Sequence, residues 1–351
     1  MIKTEALSRS NIISIVGALA NDAAGHRCIF PAFSRGYSNT VVNNGSGDYD
    51  GGDRVIGFLS YAVDGDLLIT SGWGDGAAIR RLNNDGSMTK LWHSTYALYT
   101  NTTTTYNHIN SLAIHKDSSQ LALSTHNVNG YSMIDYSSLK TGGTTVVNNR
   151  PSSQYIFSNG ANIDRTGSYY CNGTETAGDW LYIFDHDATH YKKFPRRHWT
   201  NGTQELIDGT VDYYPGSAPI DRNGYRGQLI YDEVNDRMYY NFYYGANFAV
   251  ILDASTATPK VLWCDLGDAG VGADGWEQGL YIEDPVNEPN KIWIGGSSRI
   301  VNCDITPCFT GSPPTILKQI FNESSTNENV YANLFRMGTK WQSTTNSEHV
   351  D

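Results

Sequence analysis

One phrase constrains this chain more than any other: a small residue, a short apolar run, a tight polar turn and a second apolar run. It is written six times in 351 residues. The copies are GFLSYAVDGDLLITSG from Gly57, SLAIHKDSSQLALST from Ser111, GANIDRTGSYYCNG from Gly160, GQLIYDEVNDRMYYN from Gly227, GLYIEDPVNEPNKIWIGG from Gly279 and ANLFRMGTKWQSTT from Ala332. Two apolar runs joined by a short polar turn form a hairpin. A hairpin repeated at intervals of 54, 49, 67, 52 and 53 residues means one supersecondary unit used again and again.

A second marker follows each small residue by about 25 positions: Asn83, Asp135, Asp185, Asp253 and Asp304. Each is expected to end a third strand and to close the next turn by accepting a bond from its own backbone two residues on. Short apolar runs then supply a fourth strand: KLWHST, TVVNN, YKKFP, KVLW and ILKQIF. The sequence therefore predicts an all-β chain of four-stranded antiparallel units, each about 50 residues long.

Such units make the chain resemble the β-propeller repeat families. It has neither the Gly-His and Trp-Asp pairs of the WD type nor the paired glycines of kelch repeats. The resemblance implies a six-bladed β-propeller over residues 27–351, with blades starting near 57, 111, 160, 227, 279 and 332. The sixth unit runs out of chain after two strands. Upstream, RCIFPAFSR and a second TVVNN (residues 27–44) read as third and fourth strands. These are expected to complete the last blade and close the ring, removing exposed sheet edges. Residues 1–26 form an N-terminal arm, whether a helical turn, an extra strand or a contact to a partner. The long third interval is assigned to an insertion at 196–219.

Composition narrows the function. Charged residues make up 17% of the chain, and the net charge is −11. The basic residues Lys192, Lys193, Arg196 and Arg197 are read as a solvated turn, so no nucleic acid is expected as a partner. No apolar run is long enough to span a bilayer, and the first 25 residues do not form a signal peptide. The five cysteines are read as free or buried thiols rather than a disulfide framework, although Cys303 and Cys308 are close enough to bridge. Acidic turns such as Asp64-Gly65-Asp66 are read as hairpin turns rather than calcium loops. His186 and His190 lack helical placement for zinc. No metal and no cofactor is expected.

The residues just before each first strand converge at the axial mouth of a propeller. Here they are Asn110, Asn159, Arg226, Gln278 and Tyr331, with Arg54, His108, Tyr225, Trp276 and Glu277 beside them. Amides, a guanidinium and aromatic faces suit a polar ligand such as a glycan. A single carboxylate, Glu277, falls short of the facing pair used in glycoside hydrolysis. The sequence thus suggests a non-catalytic structural or binding propeller in a virion, such as a phage tail or neck, or in another extracellular assembly. Its partners would be other protein chains, reached through residues 1–25 and 196–219. The alternative is a propeller-class hydrolase, lyase or lactonase with its site at the axial mouth.

Overall fold

A computed structural model of the chain describes residues 60–72, 76–83, 88–93, 109–125, 131–148, 171–185, 193–209, 227–242, 247–267, 269–270, 280–282, 284–295, 299–321, 332–337 and 340–345. The 1–26 arm and the 27–44 closing strands lie outside these residues, as do His186, His190 and Lys192. The chain divides into two compact units, residues 1–123 with 132–151, and residues 124–131 with 152–351.

The first unit is built on two four-stranded sheets. Sheet 1 holds β1 (Ser60–Asp64), β2 (Leu67–Gly72), β3 (Gly76–Leu82) and β4 (Met88–His93). Sheet 2 holds β5 (Ile109–His115), β6 (Gln120–Thr125), β7 (Tyr131–Asp135) and the short β8 (Val147–Asn148). Within both, strands adjacent in sequence are adjacent in space. The Asp64-Gly65-Asp66 segment is the expected hairpin turn, with Gly65 at φ 60°, a backbone that glycine adopts without strain. One helical turn, α1 (Ser137–Lys140), interrupts the path from β7 to β8.

The second unit carries three further sheets of the same order. Sheet 3 holds β9 (Cys171–Ala177), β10 (Trp180–Asp185), β11 (Lys193–His198) and β12 (Gln204–Asp208). Sheet 4 holds β13 (Gly227–Asp232), β14 (Arg237–Phe242), β15 (Asn247–Leu252) and β16 (Lys260–Asp265). Sheet 5 holds β17 (Leu280–Ile282), β18 (Lys291–Gly295), β19 (Arg299–Asp304) and β20 (Thr315–Phe321), with a 3-10 helix at Thr306–Thr310. The sixth hairpin, β21 (Ala332–Met337) with β22 (Lys340–Thr345), pairs antiparallel as the repeat predicts.

Sheet 3 departs from the expected register. Its first described strand is β9, not the run from Gly160, and Asp185 ends the second strand rather than the third. Lys193, Phe194 and Pro195 of YKKFP belong to β11, and β12 lies inside the supposed insertion at 196–219. Residues 149–170, between β8 and β9, lie outside the described residues. The cause of the departure is a hairpin as tight as the chain allows. Gly178, at φ 54°, turns β9 directly into β10, and WLYIFD ends in an Asp that imitates the third-strand marker. The basic run there is no solvated turn either, because Arg196 is fully buried in β11.

Period-2 geometry explains how the sheets stack. Phe248, Ala249, Val250 and Ile251 of β15 are all fully buried. Phe248 and Val250 join Tyr239, Leu262 and Cys264 against sheet 5 residues such as Leu280, Ile292 and Val301. Ala249 and Ile251 join Met238, Tyr240 and Trp263 against sheet 3 residues such as Tyr182, Phe184 and Phe194. Successive side chains point to opposite faces of a strand, so a strand covered on both faces is apolar without alternation. In the first unit, Leu67, Ile69 and Ile79 of sheet 1 pack with Leu112, Leu121, Leu123 and Ile134 of sheet 2.

A backbone tie recurs within four sheets. The carbonyl just before the second strand accepts the N–H of a residue one or two positions after the third. The pairs are Tyr136 to Ser119 (3.0 Å), Trp199 to Asp179 (2.9 Å), Ala254 to Asp236 (3.0 Å) and Ile305 to Asn290 (2.9 Å). All four donor residues are buried, so a broken tie would leave an N–H without water or partner.

Candidate functional site

Of the ten residues expected at an axial mouth, Arg54, His108, Asn159, Tyr225, Arg226, Trp276, Glu277, Gln278 and Tyr331 lie outside the described residues. Asn110 is the second residue of β5 rather than the residue before it. The first strands of sheets 4 and 5 begin at Gly227 and Leu280, as the register required. The first described strand of sheet 3 begins at Cys171, and Asn159 and the run from Gly160 lie outside the described residues.

The described residues assemble their charge elsewhere. Cross-strand register sets Tyr182 opposite Arg196 and Arg196 opposite Glu205, so the three side chains share one face of sheet 3. The Arg196 guanidinium lies over the Trp180 ring at 3.8 Å from its centroid. Its Nε and Nη2 donate to Glu205 Oε2 at 2.9 and 2.7 Å. Its Nη1 donates to the Thr256 carbonyl at 2.7 Å and to the Ala254 carbonyl at 3.3 Å, and Nη2 reaches the Ala257 carbonyl at 3.4 Å. A planar fork of donors is suited to such a spread of acceptors. The Tyr182 hydroxyl also donates to the Ala254 carbonyl, at 2.6 Å. Burial raises the Tyr182 hydroxyl pKa far above the usual tyrosine range, against an opposing pull from Arg196.

Sequence reading missed this cluster. Its acceptors are main-chain oxygens of the turn after β15, 58 to 61 residues away, and no letter in that turn announces them. The turn itself is held from sheet 4. Asp236 accepts bonds from Ser255 N, Ser255 Oγ and Tyr231 Oη at 2.8, 2.8 and 3.0 Å.

The turn markers behave in three ways. Asp135 Oδ1 accepts from Ser137 N and Asp304 Oδ1 from Thr306 N, both at 2.8 Å, as expected. Asp253 acts through its backbone, standing at φ 52° while its carbonyl accepts the N–H of Thr256 at 3.0 Å. Asn83 reaches across to Thr89 Oγ1 instead, at 2.8 Å. In sheet 3 the last position of the third strand falls to His198, whose Nδ1 accepts Thr200 N at 3.4 Å.

A different pair of turns repeats an arrangement that the sequence shows only in hindsight. Asp232-Glu233-Val234-Asn235 and Asp284-Pro285-Val286-Asn287 share one hydrogen-bond set. The Asp Oδ1 accepts both following N–H groups, and Oδ2 accepts the Asn amide at 2.7 and 2.9 Å. Asn235 also donates to the Pro285 carbonyl at 2.8 Å, joining the two turns. Each carries an exposed valine at its tip.

In the first unit, Asp64 Oδ2 accepts from the Tyr136 hydroxyl at 2.8 Å and pairs with Lys140 at 2.6 Å. Burial and the bond to Asp64 push the Tyr136 pKa well up. Arg81 Nη2 donates to the Leu139 carbonyl. Among the described residues, no group of three or more His, Cys, Asp and Glu side chains is placed to hold a metal ion, and no helix is long and apolar enough to cross a membrane.

No family model matches the chain, and no curated protein matches it. Solved structures similar to it include the periplasmic gluconolactonase PpgL of Pseudomonas aeruginosa, at 15% identity and a TM-score of 0.49, covering 77% of this chain and 73% of that one. The WD40 β-propeller domain of Doa1 is 8% identical with a TM-score of 0.42, covering 79% and 72%. The extracellular domain of the hybrid two-component system BT4673 from B. thetaiotaomicron is 11% identical with a TM-score of 0.44, covering 75% of this chain; the chain spans only 28% of that one. The neighbours thus include an enzyme as well as proteins of other kinds, and likenesses this distant transfer no residue role. The fold described here rests on the sheets themselves.

Proposed function

We propose that the chain is a non-catalytic structural or binding propeller, working in a virion such as a phage tail or neck, or in another extracellular assembly. The observation that carries this reading is where the buried and half-buried charge goes. Arg196 and Asp236, together with Arg237, which donates to the Pro289 carbonyl and Asn290 Oδ1 at 2.9 and 2.8 Å, bind the turns of their own or the neighbouring sheet. Their polar chemistry is used to hold sheets together, which favours a rigid scaffold. Ligand contact falls in this proposal to Arg226, Trp276, Glu277 and Gln278, with His108 and Asn110 opposite. Contact with other chains falls to residues 1–25 and to the 196–219 segment, where Asn201 and Thr203 are exposed in the β11–β12 turn.

A glycan array run beside hydrolysis assays on lactone and glycoside substrates tests the proposal. Binding without turnover is expected, with Trp276→Ala losing most affinity while its melting curve stays that of the parent. Turnover that disappears in Glu277→Gln would instead establish the enzymatic alternative.

A further inference from the structure

Three thiols meet in one buried cluster between sheets 4 and 5. Cys264 comes from β16, Cys303 from β19 and Cys308 from the 3-10 helix that follows β19. All three are free, with exposures of 0%, 0% and 3%. Two of them come from opposite sides of the boundary between sheets, Cys264 from β16 and Cys308 from the 3-10 helix packed on it, and Cys308 lies close enough to help hold the Cys264 proton. Cys303 and Cys308, the pair that sequence proximity favours, both belong to sheet 5 and the helix that follows β19, so a bond between them would join no two sheets.

We infer that Cys264 and Cys308 form a dithiol that oxidises to a disulfide covalently joining sheet 4 to sheet 5. The natural oxidant class is a small-molecule disulfide such as oxidised glutathione. One thiol loses its proton, and its thiolate attacks the reagent, releasing one reduced glutathione and leaving a mixed disulfide. The second thiolate then displaces the other glutathione. Two S–H bonds and the reagent's S–S bond break, while one protein S–S bond forms. Two electrons pass to the reagent, which leaves as two thiols.

Burial also sets when this can happen. The thiolate is the attacking species, and desolvation by burial holds the Cys264 thiol protonated, with the neighbouring Cys308 adding to the effect. Cys303 is held protonated in the same way. The pair is therefore inert while the 3-10 helix sits on β16. It becomes reactive when that helix lifts, or during folding before the boundary closes. The state is thus set by the surroundings in which the chain folds, and it is kept afterwards. This inference does not depend on what the chain binds.

The test is to refold the full-length protein in a glutathione buffer rich in the oxidised form, then block the remaining thiols and map the linked peptides. A Cys264–Cys308 link is expected, and the melting temperature should rise by about 5–10 °C over protein refolded with reductant. Cys303→Ser should keep the link and the rise; Cys264→Ala should lose both. Native protein given the same buffer should acquire the link far more slowly than refolding protein. A link from Cys308 to Cys303, or three unlinked thiols after oxidative refolding, would overturn the inference. Because Cys264→Ala could fold poorly, the map of the unmutated protein is the deciding measurement.

Discussion

The two faces of sheet 4 both seal on apolar clusters, but only one of them has a fully buried charge. Toward sheet 3 the boundary contains a fully buried guanidinium, spread over three carbonyls, a carboxylate and an indole face. Toward sheet 5 the buried part of the boundary is aliphatic and sulfur-rich, with Val250, Leu262, Ile292, Ile294 and the three thiols, and its guanidinium, Arg237, is only half-buried. The backbone is the same on both sides, a strand order repeated without variation. One stacking geometry therefore tolerates either sealant. What differs is how each fails: an apolar boundary loses stability in proportion to the atoms removed, whereas one built on Arg196 loses a buried stem, an indole stack and several hydrogen bonds in a single substitution.

The largest expected effect lies on the charged side. Arg196→Ala should cost about 2–5 kcal/mol, because a fully buried side chain stacked on Trp180 is removed together with its bonds to Glu205 and the turn carbonyls. Arg196→Lys should recover little of it, since a single ammonium cannot reach acceptors spread around a planar fork. Ile294→Val on the other face should cost only about 0.5–1.5 kcal/mol. Urea denaturation midpoints of the three variants check the contrast, and equal losses for Arg196→Ala and Ile294→Val would break it.

Alkaline pH sharpens the comparison from another side. Tyr182 and Tyr239 belong to the clusters on the two faces of sheet 4, and desolvation raises the pKa of each well beyond the usual tyrosine value. Their unfolded-state pKa is about 10. Above that pH the unfolded chain releases protons that the folded chain keeps, so stability is full below about pH 10 and falls as pH rises further. Denaturant melts across pH 8 to 11 should show this decline at the high end, together with tyrosinate absorbance that appears only on unfolding. A flat profile would mean that these hydroxyls reach water.

The smallest effects separate two marker residues that look alike as letters. Asp135→Ala removes one turn bond and should cost about 1 kcal/mol. Asp253 stands in the left-handed region, where a residue with a β-carbon is strained. Asp253→Gly should therefore stabilise the protein, whereas Asp135→Gly should not. Paired thermal melts would decide.

The repeat was legible because hairpins are local: two apolar runs and their turn lie within about fifteen letters. Sheet 3 was misread for the same reason, since Asp185 at the end of WLYIFD looks like Asp135 at the end of YSMID. Only the sheet order β9-β10-β11-β12, with a further strand beyond β11, shows that it ends the second described strand. The buried role of Arg196 was not legible, because Lys-Lys-x-x-Arg-Arg reads as a wet surface until the distant carbonyls are in place. Nine of the ten mouth residues lie outside the described residues, and for them the register argument stands where the sequence left it.

The backbone ties from Tyr136, Trp199, Ala254 and Ile305 carry a consequence for how such a chain can change. Their acceptors belong to Ser119, Asp179, Asp236 and Asn290, residues with little in common beyond the carbonyl that every amino acid owns. A fastening made of atoms common to all residues exerts no selection on side-chain identity through the bond itself. The units can drift apart in spelling until no two look alike and still close in the same way. This freedom is narrowest at Ser119 and Asp236, where φ is 53° and 52° and a bulky β-branched replacement would be rejected by the backbone alone.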